Sequence, residues 1–190
     1  MIEIDKILMN KIIAILPIYL DTKGNSTKII FENKEDMFIY YRTIRVLKSI
    51  AGYFTLDLRK VRNEYGKIIE SKNMVPIPLT KRDILIPMKT RKPISKNDGS
   101  IGYFNLKYIE DILKKDEEIY IKLITGKEIK VLNSERTIIK HINDGKLVKQ
   151  SYKEKFDSHV KEEDLSYNTP ATKKDIALLI RELVDIKKRL

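Results

Sequence analysis

The 190-residue chain is 42% hydrophobic and 34% charged, with 10 tyrosines and 5 phenylalanines, enough apolar side chain to build a core and too much for a disordered segment. It contains no cysteine, which excludes disulfides and thiolate chemistry and makes a reducing compartment the expected setting. Its formal net charge of +11 points to an acidic partner such as nucleic acid.

The N-terminal stretch MIEIDKILMNKIIAILPIYL interleaves Glu3, Asp5, Lys6 and Lys11 with its apolar residues, whereas a signal peptide has a basic head and an unbroken apolar stretch. No later run reaches the ~18 apolar residues of a membrane span. The expectation is a soluble cytoplasmic, nucleoid-associated protein with no membrane partner. KIIAILPIYL and STKIIFEN read as strands joined by the turn residues of DTKGNS, a hairpin. From Arg42, RTIRVLKSIAGYF places Ile44, Leu47 and Ile50, with Val46, on one helical face ending near Gly52, so that Arg42, Arg45 and Lys48 look outward together. DLRKVRNEYGK adds a helical turn closed by Gly66, and MVPIPLT, interrupted by Pro76 and Pro78, reads as an edge strand or a connection.

The second half carries the clearest strand signal. SIGYFNLKYIEDI is followed by EIYIKLITGKEIKVL, where Ile119, Ile121 and Leu123 alternate with Tyr120, Lys122 and Ile124. A two-residue Gly126-Lys127 connection then leads into Ile129 and Val131 around Lys130, a second hairpin. Ser134 is a good N-cap for a short helix over ERTIIKHI. Residues 151–171 are polar and read as a linker. Thr172 and Asp175 resemble a capping box opening a helix over 172–190. In it Ile176, Leu179, Leu183, Ile186 and Leu190 follow heptad spacing. Two heptads are too few for a solo helix in water, so this one packs on its own domain or forms an oligomerisation seam with a second subunit. The sum is an α+β fold: a strand-rich domain over 1–150 with β-hairpins and a few short helices, a linker, and a C-terminal amphipathic helix.

Catalytic signals are poor. There is no glycine-rich phosphate loop, no HExxH and no nucleophile elbow. His141 and His159 have no second ligand nearby, so no catalytic residue, metal or cofactor is expected. The enzymatic rival is a metal-dependent nuclease of the PD-(D/E)xK type, with Glu128 and Lys130 on one strand face and Asp111 and Asp116 before them. A chain this rich in charge yields E-x-K by chance, and here it lies against a tight turn.

The basic residues carry the sharper reading. Residues 41–67 hold Arg42, Arg45, Lys48, Arg59, Lys60, Arg62 and Lys67 against Asp57 and Glu64, a net +5. Residues 81–96 hold Lys81, Arg82, Lys89, Arg91, Lys92 and Lys96 against Asp83, again +5. Ten of the eleven excess charges thus fall in two windows, whereas a general lysine bias would spread them evenly. Arginines on a helix face and a Lys/Arg/Pro arm are two geometries that DNA binders use, the arm because an extended segment enters a narrow A/T-rich minor groove whose negative potential attracts arginine. Asn97 beside Lys96 adds hydrogen bonds to groove acceptors. The bland reading of either window alone is a solvated face, and a protein-interaction adaptor without DNA affinity is the remaining alternative.

The order of these pieces resembles the ComK family of competence transcription factors. The anchors are Leu16-Pro17, the basic cluster after Gly52, Pro76 and Pro78, Arg91 and Pro93, Gly126-Lys127, Ser134, and Arg181-Glu182-Leu183, over about residues 11–190. The resemblance implies an activator of DNA-uptake genes that binds A/T-rich double-stranded DNA through the minor groove as a homo-oligomer. By position it carries phosphate and groove contact onto Arg59, Lys60, Arg62, Lys89, Arg91 and Lys92. The family's tail has a short aromatic-aliphatic segment recognised by a proteolytic adaptor, a candidate partner. The corresponding stretch here, DLSYNTP, departs from it, and Asp98, Gly99 and Ser100 replace the family's aromatic and cysteine. Residues 103–131 alone are similar to the closing strands of LytTR DNA-binding domains.

Overall fold

The computed structural model of the chain describes residues 2–95 and 98–164, with side chains up to Phe156. Lys96 and Asn97, and the proposed seam Ile176, Leu179, Leu183, Ile186 and Leu190, lie outside the described residues. The chain divides into one unit up to Tyr152 and a second from Lys153 onward; the site lies in the first.

That unit is built on two antiparallel sheets, as the α+β reading requires. After a short helix α1 (Ile4–Leu8), the expected first hairpin forms from β1 (Ile12–Leu20) and β2 (Gly24–Phe31). β3 (Met37–Ile39), helices α2 (Thr43–Tyr53) and α3 (Leu58–Ile68), β4 (Ile77–Pro78), β5 (Ile84–Lys89) and β6 (Ile101–Asn105) follow. Six strands pair in the order β3-β2-β1-β6-β5-β4, so the proline-interrupted β4 sits at the edge. A turn of 3-10 helix at Leu106–Tyr108 then swings the chain into a second sheet, β7 (Ile109–Lys115), β8 (Glu118–Leu123) and β9 (Glu128–Val131).

The central strand explains why IIAIL is apolar without alternation: both of its faces are covered. Ile12 and Ile15 join Ile29, Val46, Leu47, Ile50, Val61 and Tyr65 under α2 and α3. Ile13, Ala14 and Leu16 join Ile86, Phe104, Tyr108, Ile121, Leu123 and Ile138 on the side of the second sheet.

Four expectations need correction. Ile44 is 47% exposed; the helix instead buries Thr43, Val46, Leu47, Ile50 and Ala51, and Ile44 lies at the rim of that face, about 20° beyond Ala51. The turn expected at DLRKVRNEYGK is a helix of 11 residues, because the Asp57 carboxylate caps it by accepting from the Arg59 and Lys60 amides at 2.7 and 3.3 Å. Gly66 does not close that helix; it sits inside it, where a Cβ would meet the Ser71 carbonyl oxygen at 2.6 Å. The second hairpin turns through Ile124, Thr125 and Gly126, with the Gly126 amide donating to the Leu123 carbonyl and Gly126 at φ +78°. That is a type I turn closed by a glycine bulge.

The fourth correction is the helix after Ser134. Ser134 caps it as expected, its Oγ accepting from the Thr137 amide, but the helix, α4, runs over Glu135–Asp164 and takes in the first part of the presumed linker. Its buried positions through Tyr152 are Ile138, His141, Asp144, Gly145, Val148 and Tyr152. The 3,4 repeat is hidden in the sequence because a histidine and a glycine occupy two of its places. Gly145 lets the helix lie close to β5: a Cβ there would stand 2.9 Å from Ile86 Cδ1 and make that side chain shift.

The two sheets are clamped by one carboxylate. Asp36 accepts from Lys28 of β2 at 2.9 Å and from Lys127 of the β8–β9 turn at 2.6 Å. Burial alone would push the Asp36 carboxyl up, but the hydrogen bonds and charges of the two lysines outweigh it and hold it below the usual carboxylate range. A carboxyl whose pKa is lower in the folded state stabilises the fold above its unfolded pKa, and that stability is lost as pH falls through the folded value. Asp36→Ala is therefore expected to cost about 1–2 kcal/mol near neutral pH. The gap to the native protein should close as urea melts are repeated down to about pH 2.

Candidate nucleic-acid interface

The strip begins with the buried threonines that fix the start of α2. Thr27 on β2 donates its hydroxyl to the Tyr41 carbonyl at 2.6 Å and lies 3.2 Å from the Thr43 hydroxyl, the first residue of α2. With its one proton committed to Tyr41, Thr27 accepts from Thr43. This sets Arg42, the N-cap, and Arg45, one turn further, above the start of β2, both exposed. Arg45 stacks on the Tyr41 ring at 4.0 Å. The N-cap offers no side-chain acceptor, so the positive end of the helix dipole adds to the two arginines.

Asn25, two residues before Thr27, joins these to the second basic window. Arg42, Arg45, Ile44 and Asn25 line one hollow, and Arg91 donates from Nη2 to Asn25 Oδ1 at 2.6 Å. The exposed Ile44 also borders a second hollow that contains Arg62 and Tyr103. Arginines from α3, α2 and the β5–β6 loop thus follow one another along a single strip.

The β5–β6 loop, expected as a free arm, is built rather than loose. Arg91 is half-buried, stacks on the Tyr19 ring at 3.9 Å and donates from Nε to the Gly99 carbonyl at 2.8 Å. Burial pulls its pKa below the usual arginine value, opposed by Tyr19 and Asp98; it stays a cation. The Tyr19 hydroxyl donates to Asp98 at 2.5 Å and accepts from the Ile94 amide at 2.9 Å. The Ser95 backbone amide and the Asn25 side-chain amide donate the remaining hydrogen bonds to the Asp98 carboxylate. Tyr19, with those two, holds Asp98 below the usual carboxylate range. Arg91→Ala removes two hydrogen bonds and the stack. The expected result is amide exchange at Ile94 and Ser95 faster by about 10-fold or more, with global stability shifted by less than about 1 kcal/mol.

The remaining basic residues are more dispersed. Arg59 and Lys60 are exposed on the first turn of α3, and Lys89 is exposed at the end of β5, where its backbone bonds Asn133 and Leu132. Lys92 lies in another hollow of mixed charge, lined by Lys114 and Lys130 and by Glu117, Glu118 and Glu135.

Charge pairing separates this strip from the paired lysines of the second sheet. On the second sheet Lys115 pairs with Glu128, Lys122 with Glu110 and Lys130 with Glu118. Among the described residues, Arg42, Arg45 and Arg62 pair with no carboxylate. The E-x-K pair of the nuclease reading is thus engaged by neighbouring side chains. Asp116 sits in the β7–β8 turn at φ +45° and Asp111 accepts from the next amide. No group of three acidic or histidine side chains among the described residues could hold a metal ion, and no described helix is long and apolar enough to cross a membrane.

Sequence reasoning missed Tyr19, Asn25, Tyr41 and Asp98. Asn25 and Arg91 stand 66 positions apart, and neither residue carries a local sign of the other.

Neither a curated protein nor a solved structure gives a significant match. The sequence model described as ComK protein matches residues 5–157, which takes in every anchor of the resemblance except Arg181-Glu182-Leu183. The match spans both basic windows and the unit that carries the strip, and the chain belongs to the ComK family, a family of competence transcription factors.

Proposed function

We propose that the domain over residues 1–150 binds double-stranded DNA at A/T-rich sites through the minor groove and activates genes of DNA uptake. The observation that carries this is the strip itself: among the described residues Arg42, Arg45 and Arg62 have no carboxylate partner and Asn25 joins the first two to Arg91 of the second window, while Lys115, Lys122 and Lys130 of the second sheet are paired. Arg42, Arg45 and Arg62 act on the phosphate backbone, which gives affinity that falls steeply with salt. Arg59, Lys60, Lys89 and Lys92 extend the same attraction at its margins. Arg91 holds the loop that meets the groove, and the A/T preference arises from groove width and deformability. Residues 172–190 supply a homo-oligomer seam, for which light scattering should give a mass above one chain that Leu183→Asp lowers. Action at the nucleoid in the cytoplasm follows from a DNA partner.

Anisotropy titrations of an A/T-tract duplex and a matched G/C duplex, across a salt series without divalent metal, test the reading. The expected result is a steep salt slope and tighter A/T binding. Absence of binding to both duplexes at about 50 mM salt, where a backbone binder is strongest, would sink it, and cutting of the duplex on adding Mg²⁺ would restore the nuclease.

A further inference from the structure

We propose that Ile94, with Pro93 before it, is an apolar wedge that enters between two base pairs of bound A/T-rich DNA, unstacking and kinking them; this rests on the DNA-binding reading above. Ile94 is 80% exposed in a segment that is otherwise polar and basic. Such a residue could dangle, but this one is held out. Its amide is fixed to the Tyr19 hydroxyl at 2.9 Å, and the next amide, Ser95, is fixed to Asp98 at 2.9 Å. The Asp98 amide returns to the Ser95 carbonyl at 3.0 Å, and Thr90 bonds Ser100 at 2.9 Å to close the base of the loop. Arg91 locks the loop against Tyr19 and Asn25.

The chemistry of the occupant follows from what surrounds the tip. A protein groove would offer apolar walls, and cations near the tip would oppose its burial there. A base step offers apolar faces framed by two rows of phosphate, which suits an apolar tip that follows Arg91 and Lys92 and continues the arginine strip through Asn25. The branched carbon of isoleucine makes the side chain stiff, and proline lacks an amide that would need a partner inside the stack. Apolar side chains of this kind are how minor-groove proteins kink a duplex, and A/T-rich sites contain the TA steps that unstack most readily.

The test uses the full chain and an A/T-rich duplex carrying 2-aminopurine at successive TA steps, with a fluorescence donor and acceptor at its ends. The native protein should raise 2-aminopurine emission at one step and bring the ends closer. Ile94→Ala should abolish both, with its salt slope unchanged and affinity lower by about 10-fold or less, since the lost contact is offset by the unstacking no longer required. Ile94→Met should keep both signals. Because the side chain is exposed, the melting temperature of either variant should match the native protein. Binding by the native protein without unstacking, or equal unstacking by Ile94→Ala, would overturn the wedge and leave DNA binding standing. Failure of the native protein to bind any duplex would overturn both.

Discussion

Replacing Arg42, Arg45 and Arg62 together by alanine is expected to flatten the salt dependence of DNA affinity by nearly three units of log–log slope. Each phosphate neutralised contributes a slope of about 0.9. Over a fourfold rise in salt, from about 50 to about 200 mM, the triple variant should therefore lose about 40-fold less affinity than the native protein, starting from a weaker value. The loss should fall on A/T and G/C duplexes alike, because phosphate contacts position the protein and do not read sequence. The three side chains are exposed and unpaired, so the fold should be untouched, apart from the stack of Arg45 on Tyr41. An unchanged slope in the triple variant would remove the strip from the interface. As a control, Lys115, Lys122 and Lys130 are already paired with acids, and their replacement should move the slope far less.

Phe104→Ala is expected to have the largest effect on stability, about 3–5 kcal/mol. Phe104 is fully buried on β6, where Ala14 of β1 and Ile86 of β5 stand opposite it in the ladder. It packs in the cluster with Tyr108, Ile121, Leu123, Val131 and Ile138, so the cavity would open where the six-stranded sheet, the second sheet and the start of α4 meet. β6 is itself held between β1 and β5, which limits how far the walls can collapse. For a domain whose total stability is about 5–15 kcal/mol, urea midpoints should fall steeply. A loss below about 1 kcal/mol would mean that this junction is not packed as described. Ile124→Ala, at a residue 50% exposed in the β8–β9 turn, should stay within about 0.5 kcal/mol.

How far each element could be read from the sequence tracks how local its cause is. Both expected hairpins form, because alternating or continuous apolar runs between turn residues are enough to place strands. The second turn is one residue longer than its Gly-Lys signature predicts, since the turn before Gly126 uses Ile124 and Thr125, which carry no turn signature. The β7–β8 turn was not anticipated: Asp116 and Glu117 both take positive φ, +45° and +68°, a two-residue turn without the Asn-Gly pair that usually announces it. The length of α4 escaped notice because His141 and Gly145 fill core places that pattern reading reserves for larger apolar residues.

The site divides in the same way. Composition and charge order along the chain were sufficient to single out two basic windows and, with the anchor residues, the family. They could not say which cations are free. Pairing of Lys115, Lys122 and Lys130 depends on strand register and on reach beyond the direct neighbour: Lys115 stands opposite Glu118 but pairs with Glu128, Lys122 opposite Glu128 but pairs with Glu110, and Lys130 opposite Tyr120 but pairs with Glu118. Arg91, expected as a groove contact, is half-buried against Tyr19 and bonded to Asn25, because β1, β2 and the β5–β6 loop end at the same place. The sequence by itself determined the strands, the basic windows and the family, since each rests on spacing between near neighbours. Only the tertiary structure decided that residues 25, 42, 45, 62 and 91 form one strip and that Ile94 is held at its edge, because those contacts are made by sheet order and register, which no local pattern encodes.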